Sequence, residues 1–179
     1  MNKLRKLINK YCEQYPTETT ARSIQSFLLS DKNPFSRNNE HGHFTGSAWI
    51  VNPNKTKILM THHKKIGKWL QLGGHADGEK DLLNVSQREA KEESGLNNFV
   101  ILSKEIFDME IHEVPSIGSD PKHLHYDVRF LFEADPDAES IKVSDESYDV
   151  AWIELDRVRQ FNSEDSIMRM VNKTRILRQ

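Results

Sequence analysis

The feature that most constrains the fold is a glycine-rich loop that runs directly into a helix with clustered acids, GGHADGEKDLLNVSQREAKEESGL at residues 73–96. At about 100° per residue, Glu89, Glu92 and Glu93 fall within about one quarter of the helical circumference. Like charges at these spacings repel by roughly 0.2–0.5 kcal/mol per pair, and Lys91 points to the opposite side. We therefore expect a counter-charge from outside the helix.

The position of the acids relative to the apolar stripe suggests what that counter-charge is. Leu82, Leu83 and Ala90 border or overlap the acidic sector, so the carboxylates lie beside the buried stripe. Carboxylates held together at the edge of a core suit a hard divalent cation. A solvated acidic face is the alternative. The preceding Gly73 and Gly74 favour the cation, because glycines let the backbone approach a ligand closely.

The rest of the chain predicts an α/β fold. Apolar residues at helical spacing predict helices over residues 3–14 and 17–30. Beyond residue 43, alternating polarity predicts strands. The expected strands cover residues 46–52, 56–63, 69–72, 99–107, 108–114, 123–134 and 147–155. With a last helix expected over residues 162–177, this order indicates an α/β sandwich with a mixed sheet between helical layers.

Local signals place the ends of two elements. The residues NPNK, at 52–55, predict a hairpin turn between the first two long strands. Asp81 is the expected N-cap of the central helix, and Gly95 the residue that ends it in a left-handed conformation.

Composition excludes several classes of protein. The formal net charge of −2 argues against broad binding of nucleic acid or membrane surfaces, which requires a basic excess. The single cysteine, Cys12, excludes an internal disulfide and a thiolate zinc site. No apolar run approaches about 18 residues, and the first residues lack the apolar segment of a signal peptide. We expect a cytoplasmic protein.

Residues 74–96 resemble the Nudix box, the loop–helix element of Nudix hydrolases, written G-x5-E-x7-R-E-U-x-E-E-x-G-U with U a bulky aliphatic residue. The residues that carry the resemblance are Gly74, Arg88, Glu89, Ala90, Glu92, Glu93, Gly95 and Leu96. Lys80 stands where the box has its first glutamate, with Glu79 one residue early and Asp81 one late. The flanking GSAWIV, WLQLGGHAD, HYDVRF and VAWIEL are similar to bacterial Nudix proteins. The resemblance implies a Nudix-type α/β/α sandwich over residues 41–179, after an N-terminal helical extension over residues 1–40.

The resemblance also implies an activity and a set of site residues. It implies a Mg²⁺-dependent hydrolase, with Mn²⁺ as a substitute, that cleaves a nucleoside diphosphate linked to another moiety X. The implied metal ligands are Glu89 and Glu93, with the Gly73 carbonyl as a further ligand. Glu92 is either a ligand or a hydrogen-bond acceptor beside the metal. Arg88 would tie the helix to the loop, and Glu89 could instead be the general base. In the family, the glutamate at the position of Lys80 supports and orients the helix. Because Lys80 replaces it, the sequence does not identify the acid that pairs with Arg88.

Candidates for the substrate pocket lie around this element. Polar residues alternate along 108–112 and 123–130, and each row shares one sheet face. They either line the cleft over the acids or belong to a strand exposed to water. The substrate-binding candidates are Trp69, Gly74, His75, His125 and Asp127, and the candidates for an additional acidic ligand are Asp127 and Glu146. Trp69 could equally be a core residue, and His75 a simple surface residue.

Histidine content raises a separate question. The chain has eight histidines, including HGH at 41–43 and HLH at 123–125. Without cysteine pairs or a helical HxxxH pair, the sequence favours Mg²⁺ over zinc.

Two other functions fit the same fold. The chain could be a catalytically inactive module that senses a ligand or binds a protein, although complete acids at 89, 92 and 93 argue against this. An isopentenyl diphosphate isomerase would need a pocket cysteine, whereas Cys12 lies in the N-terminal extension. The expected partner is a small nucleotide or nucleotide derivative, with a homodimer as a further expectation and X left open.

Overall fold

The computed structural model describes residues 2–116 and 121–178. The helices are α1 (Asn2–Gln14), α2 (Thr19–Ser30), α3 (Leu82–Ser94), α4 (Val158–Phe161) and α5 (Asp165–Leu177). The strands are β1 (Gly42–Val51), β2 (Lys57–His63), β3 (Lys68–Leu70), β4 (Leu72–His75), β5 (Val100–Ile101), β6 (Asp108–Val114), β7 (His123–Glu133) and β8 (Ser147–Glu154). A single 3-10 turn leads into α4. Among these residues no helix combines the length and the apolar character needed to cross a membrane.

Strand β1 is the centre of the sheet. It pairs in parallel with β7 along its whole length, from Gly42 to Val51. Its other edge pairs antiparallel with β4 at one end and with β2 at the other. Strand β2 also pairs antiparallel with β3 and β8, and β7 with β5 and β6. The sheet is therefore mixed, as predicted.

The two faces of β1 bury different helices, because successive side chains of a strand point to opposite faces. Phe44 and Ile50 belong to an apolar cluster that includes buried residues of α1, α2 and α3. Trp49 and Val51 belong to a second cluster, which includes the buried residues of α5. The α/β/α sandwich is confirmed. The N-terminal helices share the core of the first cluster rather than forming a core of their own.

The predicted strand over 99–107 is wrong over most of its length, because only β5 is a regular strand. The chain turns at residues 103–105, where Ser103 Oγ accepts the Glu105 N–H at 3.0 Å. On either side of the turn the backbone still bonds to β7, through the N–H groups of Leu102 and Phe107. The apolar pattern missed the turn within this segment.

The predicted ends of α3 are confirmed in position. Gly95 has a φ of +70°, and its N–H donates to the Lys91 carbonyl at 2.8 Å. Asp81 occupies the N-cap position without a side-chain bond to the helix. Its carboxylate instead accepts a bond from Lys3 Nζ at 2.6 Å, which fastens α1 to the start of α3.

Candidate active site

Strand β4 carries the glycine loop against the acidic side of α3. The Gly73 N–H donates to Glu93 Oε2 at 2.7 Å. A side chain at Gly74 would overlap the Glu89 carboxylate, so a glycine is required there for the helix to lie this close. The pairing of β4 with β1, from Leu72 to His75, holds the loop in this position. Two acids of α3 and the two glycines therefore form one compact group.

Arg88 bridges the loop and the helix. Its guanidinium donates to the Glu89 carboxylate at 2.6 Å and to the His75 carbonyl at 2.8 Å. Glu92 Oε1 is 3.9 Å from Arg88 Nε, and the Glu92 side chain is 63% exposed. A charge-assisted bond of this kind is stronger than one between neutral groups, so Arg88 fixes the orientation of Glu89.

The residues around Lys80 do not supply Arg88 with another acid. Glu79 Oε1 accepts the Asp81 N–H at 2.8 Å, and the Asp81 carboxylate is bound by Lys3. Glu89 therefore pairs with Arg88 in this chain.

The acidic group has three carboxylates, at Glu89, Glu92 and Glu93, and one basic partner, Arg88, among the described residues. Glu93 is 5% exposed, and burial raises its pKa to about 8, with Glu89, Glu146 and Glu92 adding to the rise and only the Gly73 N–H opposing it. Burial also raises the pKa of Glu89, despite Arg88. Within the described residues, Glu93 has no ion-pair partner. A buried acid of this kind would be stabilised in its charged form by a divalent cation.

Without metal, Glu93 is expected to make folding stability fall as pH rises. The folded state holds the Glu93 proton up to a pKa of about 8, against an ordinary value of 4.5. Between these values the folded state binds more protons than the unfolded chain, so the free energy of unfolding falls by up to about 1.4 kcal/mol per pH unit. Urea unfolding across this window in Mg²⁺-free buffer, for wild type and Glu93→Gln, measures it. The stability curves of the two proteins should diverge with pH, and parallel curves would contradict the assignment.

The polar rows of β6 and β7 lie on the face of the sheet away from α3. The backbone register pairs Asp108 with Arg129 and His112 with His125, so both rows share one face. Gly46 of β1 contacts α3, whereas its neighbour Thr45 points the other way and bonds to Asp127. The rows therefore neither face the α3 acids nor form an exposed edge, since Asp108, Asp127 and Arg129 are at most 3% exposed.

Asp127 is occupied by internal partners. One carboxylate oxygen accepts bonds from the Thr45 and Ser47 hydroxyls, and the other from Arg129 and Gln71. As a substrate contact or an additional ligand it would have to give up these bonds. Glu146 is exposed, and its charge raises the pKa values of Glu89 and Glu93.

Trp69 lies away from the α3 acids. Its ring stacks on His62, with centroids 5.1 Å apart and planes at 10°, and meets the edge of Phe161. It also packs against the second apolar cluster while remaining half-buried.

His75 and His125 form a cluster with two other histidines. The ligand nitrogens of His43, His75, His123 and His125 all lie within 4.8 Å of one another. Burial lowers the pKa of His75 to about 4 and of His125 to about 2, so both imidazoles are neutral at pH 7. The sequence contained the HGH and HLH motifs but not the strand register that brings them together.

Residues 43–171 match the NUDIX domain family. The chain belongs to this family. No curated protein matches the chain.

Solved structures of Nudix proteins share this fold. A NUDIX-family hydrolase from Clostridium perfringens is 24% identical, with a TM-score of 0.54 over 75% of this chain and 97% of that one. The MutT protein from Methanosarcina mazei Go1 is 17% identical, with a TM-score of 0.56 over 78% and 96%. A Caenorhabditis elegans Ap4A hydrolase is 15% identical, with a TM-score of 0.53 over 75% and 96%. At these identities the likeness establishes the Nudix fold.

Proposed function

We propose that this Nudix protein is a Mg²⁺-dependent hydrolase that cleaves the pyrophosphate bond of a nucleoside diphosphate linked to another moiety X. The observation that carries the proposal is the buried Glu93, whose pKa is raised to about 8 beside two glycines and Glu89. Clustered carboxylates at a loop–helix junction suit a divalent cation, and the bound cation would in turn attract an anionic substrate. The family supports the same reaction class.

The residues that would hold Mg²⁺, with Mn²⁺ as a substitute, are Glu89, Glu92, Glu93 and the Gly73 carbonyl. Oxygen ligands suit these hard cations, and Gly73 already contacts Glu93 through its N–H. Bound Mg²⁺ would polarise the phosphoryl oxygens and lower the pKa of a coordinated water. Glu146 is the preferred additional acid, because its charge already acts on Glu89 and Glu93.

Glu89 is also the candidate general base, a role that it would take instead of binding Mg²⁺. Arg88 bonds to Glu89 Oε1, and the other oxygen, Oε2, lies against Gly74. Burial raises the pKa of Glu89, which moves the carboxylate towards the pH at which a general base is most effective. Arg88 therefore orients one oxygen and leaves the other to accept the proton of the attacking water.

The candidate substrate contacts differ in how close they lie to the acids of α3. The Gly74 backbone is next to Glu89 and is suited to approach a phosphate. Trp69 has a half-buried ring that could stack on a base. His75, His125 and Asp127 are candidates whose side chains lie on the face away from α3. A homodimer and a cytoplasmic location remain predictions.

The experiment is a substrate panel with Mg²⁺ and with a chelator. The compounds are nucleoside triphosphates, ADP-ribose, other nucleotide sugars and dinucleoside polyphosphates, and the products are identified by chromatography. We expect release of a nucleoside monophosphate and phospho-X, or the equivalent products, only with Mg²⁺. Folded protein that binds no Mg²⁺ and cleaves no compound would favour the inactive binding module instead.

A further inference from the structure

Four histidines converge at one place on the sheet, on the face opposite the α3 acids. His43 comes from β1, His75 from the end of β4, and His123 and His125 from β7. The register places His43 beside His125, and Thr45 beside His75. Since paired residues share a face, three separate strands deliver their imidazoles to one point. All four ligand nitrogens lie within 4.8 Å of one another.

The ring nitrogens of His43 would have no hydrogen-bond partner among the described residues if the cluster served only to pack the core. His43 is 2% exposed, and within the described part of the chain neither Nδ1 nor Nε2 makes a hydrogen bond of normal distance and angle. The Asn39 backbone lies close enough only to oppose the lowering of the His43 pKa by burial. Its ring lies 4.9–5.0 Å from the rings of His75, His123 and His125. Buried polar groups without partners are costly and uncommon. The cluster therefore contains an unpaired nitrogen ligand that is directed towards three others.

His123 is held in the tautomer that a metal ligand needs. Its Nδ1–H donates to the Pro121 carbonyl at 2.8 Å, which leaves the lone pair of Nε2 free. That Nε2 is 3.2 Å from His125 Nε2. A backbone carbonyl that accepts the other ring N–H, and so fixes the ring, is typical of metal-bound histidine. A hydrogen bond between His123 and His125 would satisfy those two rings but would leave His43 without a partner.

One pair of these nitrogens already has the spacing of zinc ligands. Zinc–nitrogen distances of about 2.0–2.1 Å in a tetrahedron place two ligand atoms roughly 3.3–3.4 Å apart. The separation of 3.2 Å between His123 and His125 is close to this value. The other nitrogens lie within 4.8 Å of one another and would have to close by up to roughly 1.5 Å around an ion. Imidazole ligands select a borderline transition metal, whereas Mg²⁺ requires oxygen ligands.

We propose that His43, His75, His123 and His125 form a tetrahedral site for a transition-metal cation of the Zn²⁺ class, separate from the oxygen-ligand site of α3. Four protein ligands close the coordination sphere, which is typical of structural rather than catalytic zinc. The ion would fasten β4 to β1 and β7. Because His75 directly follows the glycine loop and its carbonyl binds Arg88, the ion would also fix the base of that loop.

The test is direct metal binding to chelator-treated, full-length protein in excess Mg²⁺, which saturates oxygen-ligand sites. Co²⁺ reports geometry through its absorption bands, and Zn²⁺ is then titrated to displace it. We expect one ion per chain, the strong visible absorption of tetrahedral Co²⁺, and a rise in Tm with Zn²⁺. A Glu93→Gln protein should bind the same amount, which separates this site from the proposed Mg²⁺ site.

The main variant is His123→Gln, because His43 is fully enclosed and its replacement could prevent folding. His123 is half-buried, so its variant should fold. Replacing a residue that only hydrogen-bonds to a metal ligand costs about 10–100-fold in metal affinity. Loss of a direct ligand should therefore weaken Zn²⁺ binding by at least about 100-fold. The matched control is His41→Gln, at the exposed histidine of the same HGH motif, which should bind Zn²⁺ as wild type does.

Three results would overturn the proposal. The first is no Zn²⁺ binding by folded wild-type protein. The second is equal loss of affinity in His41→Gln and His123→Gln. The third is a rise in Tm with inorganic phosphate and none with Zn²⁺, which would identify an anion site.

Discussion

Glu93→Gln is expected to reduce kcat/KM by about 10³-fold on any substrate that the wild-type protein hydrolyses. Metal ions supply several kcal/mol of transition-state stabilisation in such reactions, and each 1.36 kcal/mol is about a factor of ten in rate. Glutamine keeps the size of the side chain, and its carbonyl can still accept the Gly73 N–H that now bonds to Glu93. The fold should therefore survive while the charge for the cation is lost. Steady-state kinetics over a range of Mg²⁺ concentrations measures both effects.

The matched control is Glu13→Gln, at an exposed residue of α1. It makes the same chemical change outside the site, so its kinetics and Mg²⁺ dependence should equal those of wild type. An active wild-type enzyme whose Glu93→Gln variant retained activity within about tenfold would remove Glu93 from the metal site. The Zn²⁺ titration of the histidine cluster would not be affected by that result.

Asp108→Asn is expected to lower the free energy of unfolding by about 3–5 kcal/mol, the usual cost of removing one partner of a buried ion pair. Asp108 is fully buried, and its carboxylate accepts bonds from Arg129, Arg169, Lys173 and Tyr11. Burial alone would raise the pKa of Asp108, but the bond from Arg169 and the charges of Arg129 and Lys173 hold it below its usual range. The neutral amide would leave these cations close together with less compensating charge. Urea unfolding at neutral pH measures the loss.

Asp156→Asn is the control for this change. The Asp156 side chain is 78% exposed and pairs with Arg175 at 2.9 Å, an arrangement that contributes about 0–1 kcal/mol. If both variants lost the same small amount of stability, the buried network would not be the stabilising feature that its geometry indicates.

The parts of the molecule that could be predicted from sequence are those set by residues close together in the chain. The spacing from Arg88 to Gly95 specified both the helix and the clustering of its acids, because the helical period alone determines which side chains are neighbours. The left-handed Gly95 followed from the same local chemistry. The prediction of a strand over 99–107 was wrong because the Ser103 hydroxyl accepts the Glu105 N–H and favours a turn. The apolar pattern does not show this turn.

The parts that could not be predicted depend on which strands pair. Alternation along β6 and along β7 correctly predicted which residues of each strand lie on the same face of the sheet. It did not show that the polar rows of the two strands lie on the same side. Nor could it show that this side is buried, with Arg169 bonded to Asp108 and Glu110. The histidine cluster is the clearest case, because His43 and His123 are 80 positions apart and meet only through the register of β1 and β7. Only β7 supplies two of the four histidines by alternation, whereas β1 and β4 supply one each, so no short motif in the sequence marks the cluster.

The parallel pairing of β1 with β7 also determines the order in which the protein can become functional. Loop closure over such a separation is slow, and contacts of this kind form late relative to local helices. α3 can form early from its own residues, but the histidine cluster requires β7. During synthesis, a chain that ends before residue 123 contains the complete acidic helix and only half of the histidine ligands. The histidine cluster therefore forms only after β7 has paired with β1, and metal binding there would report that this pairing is complete.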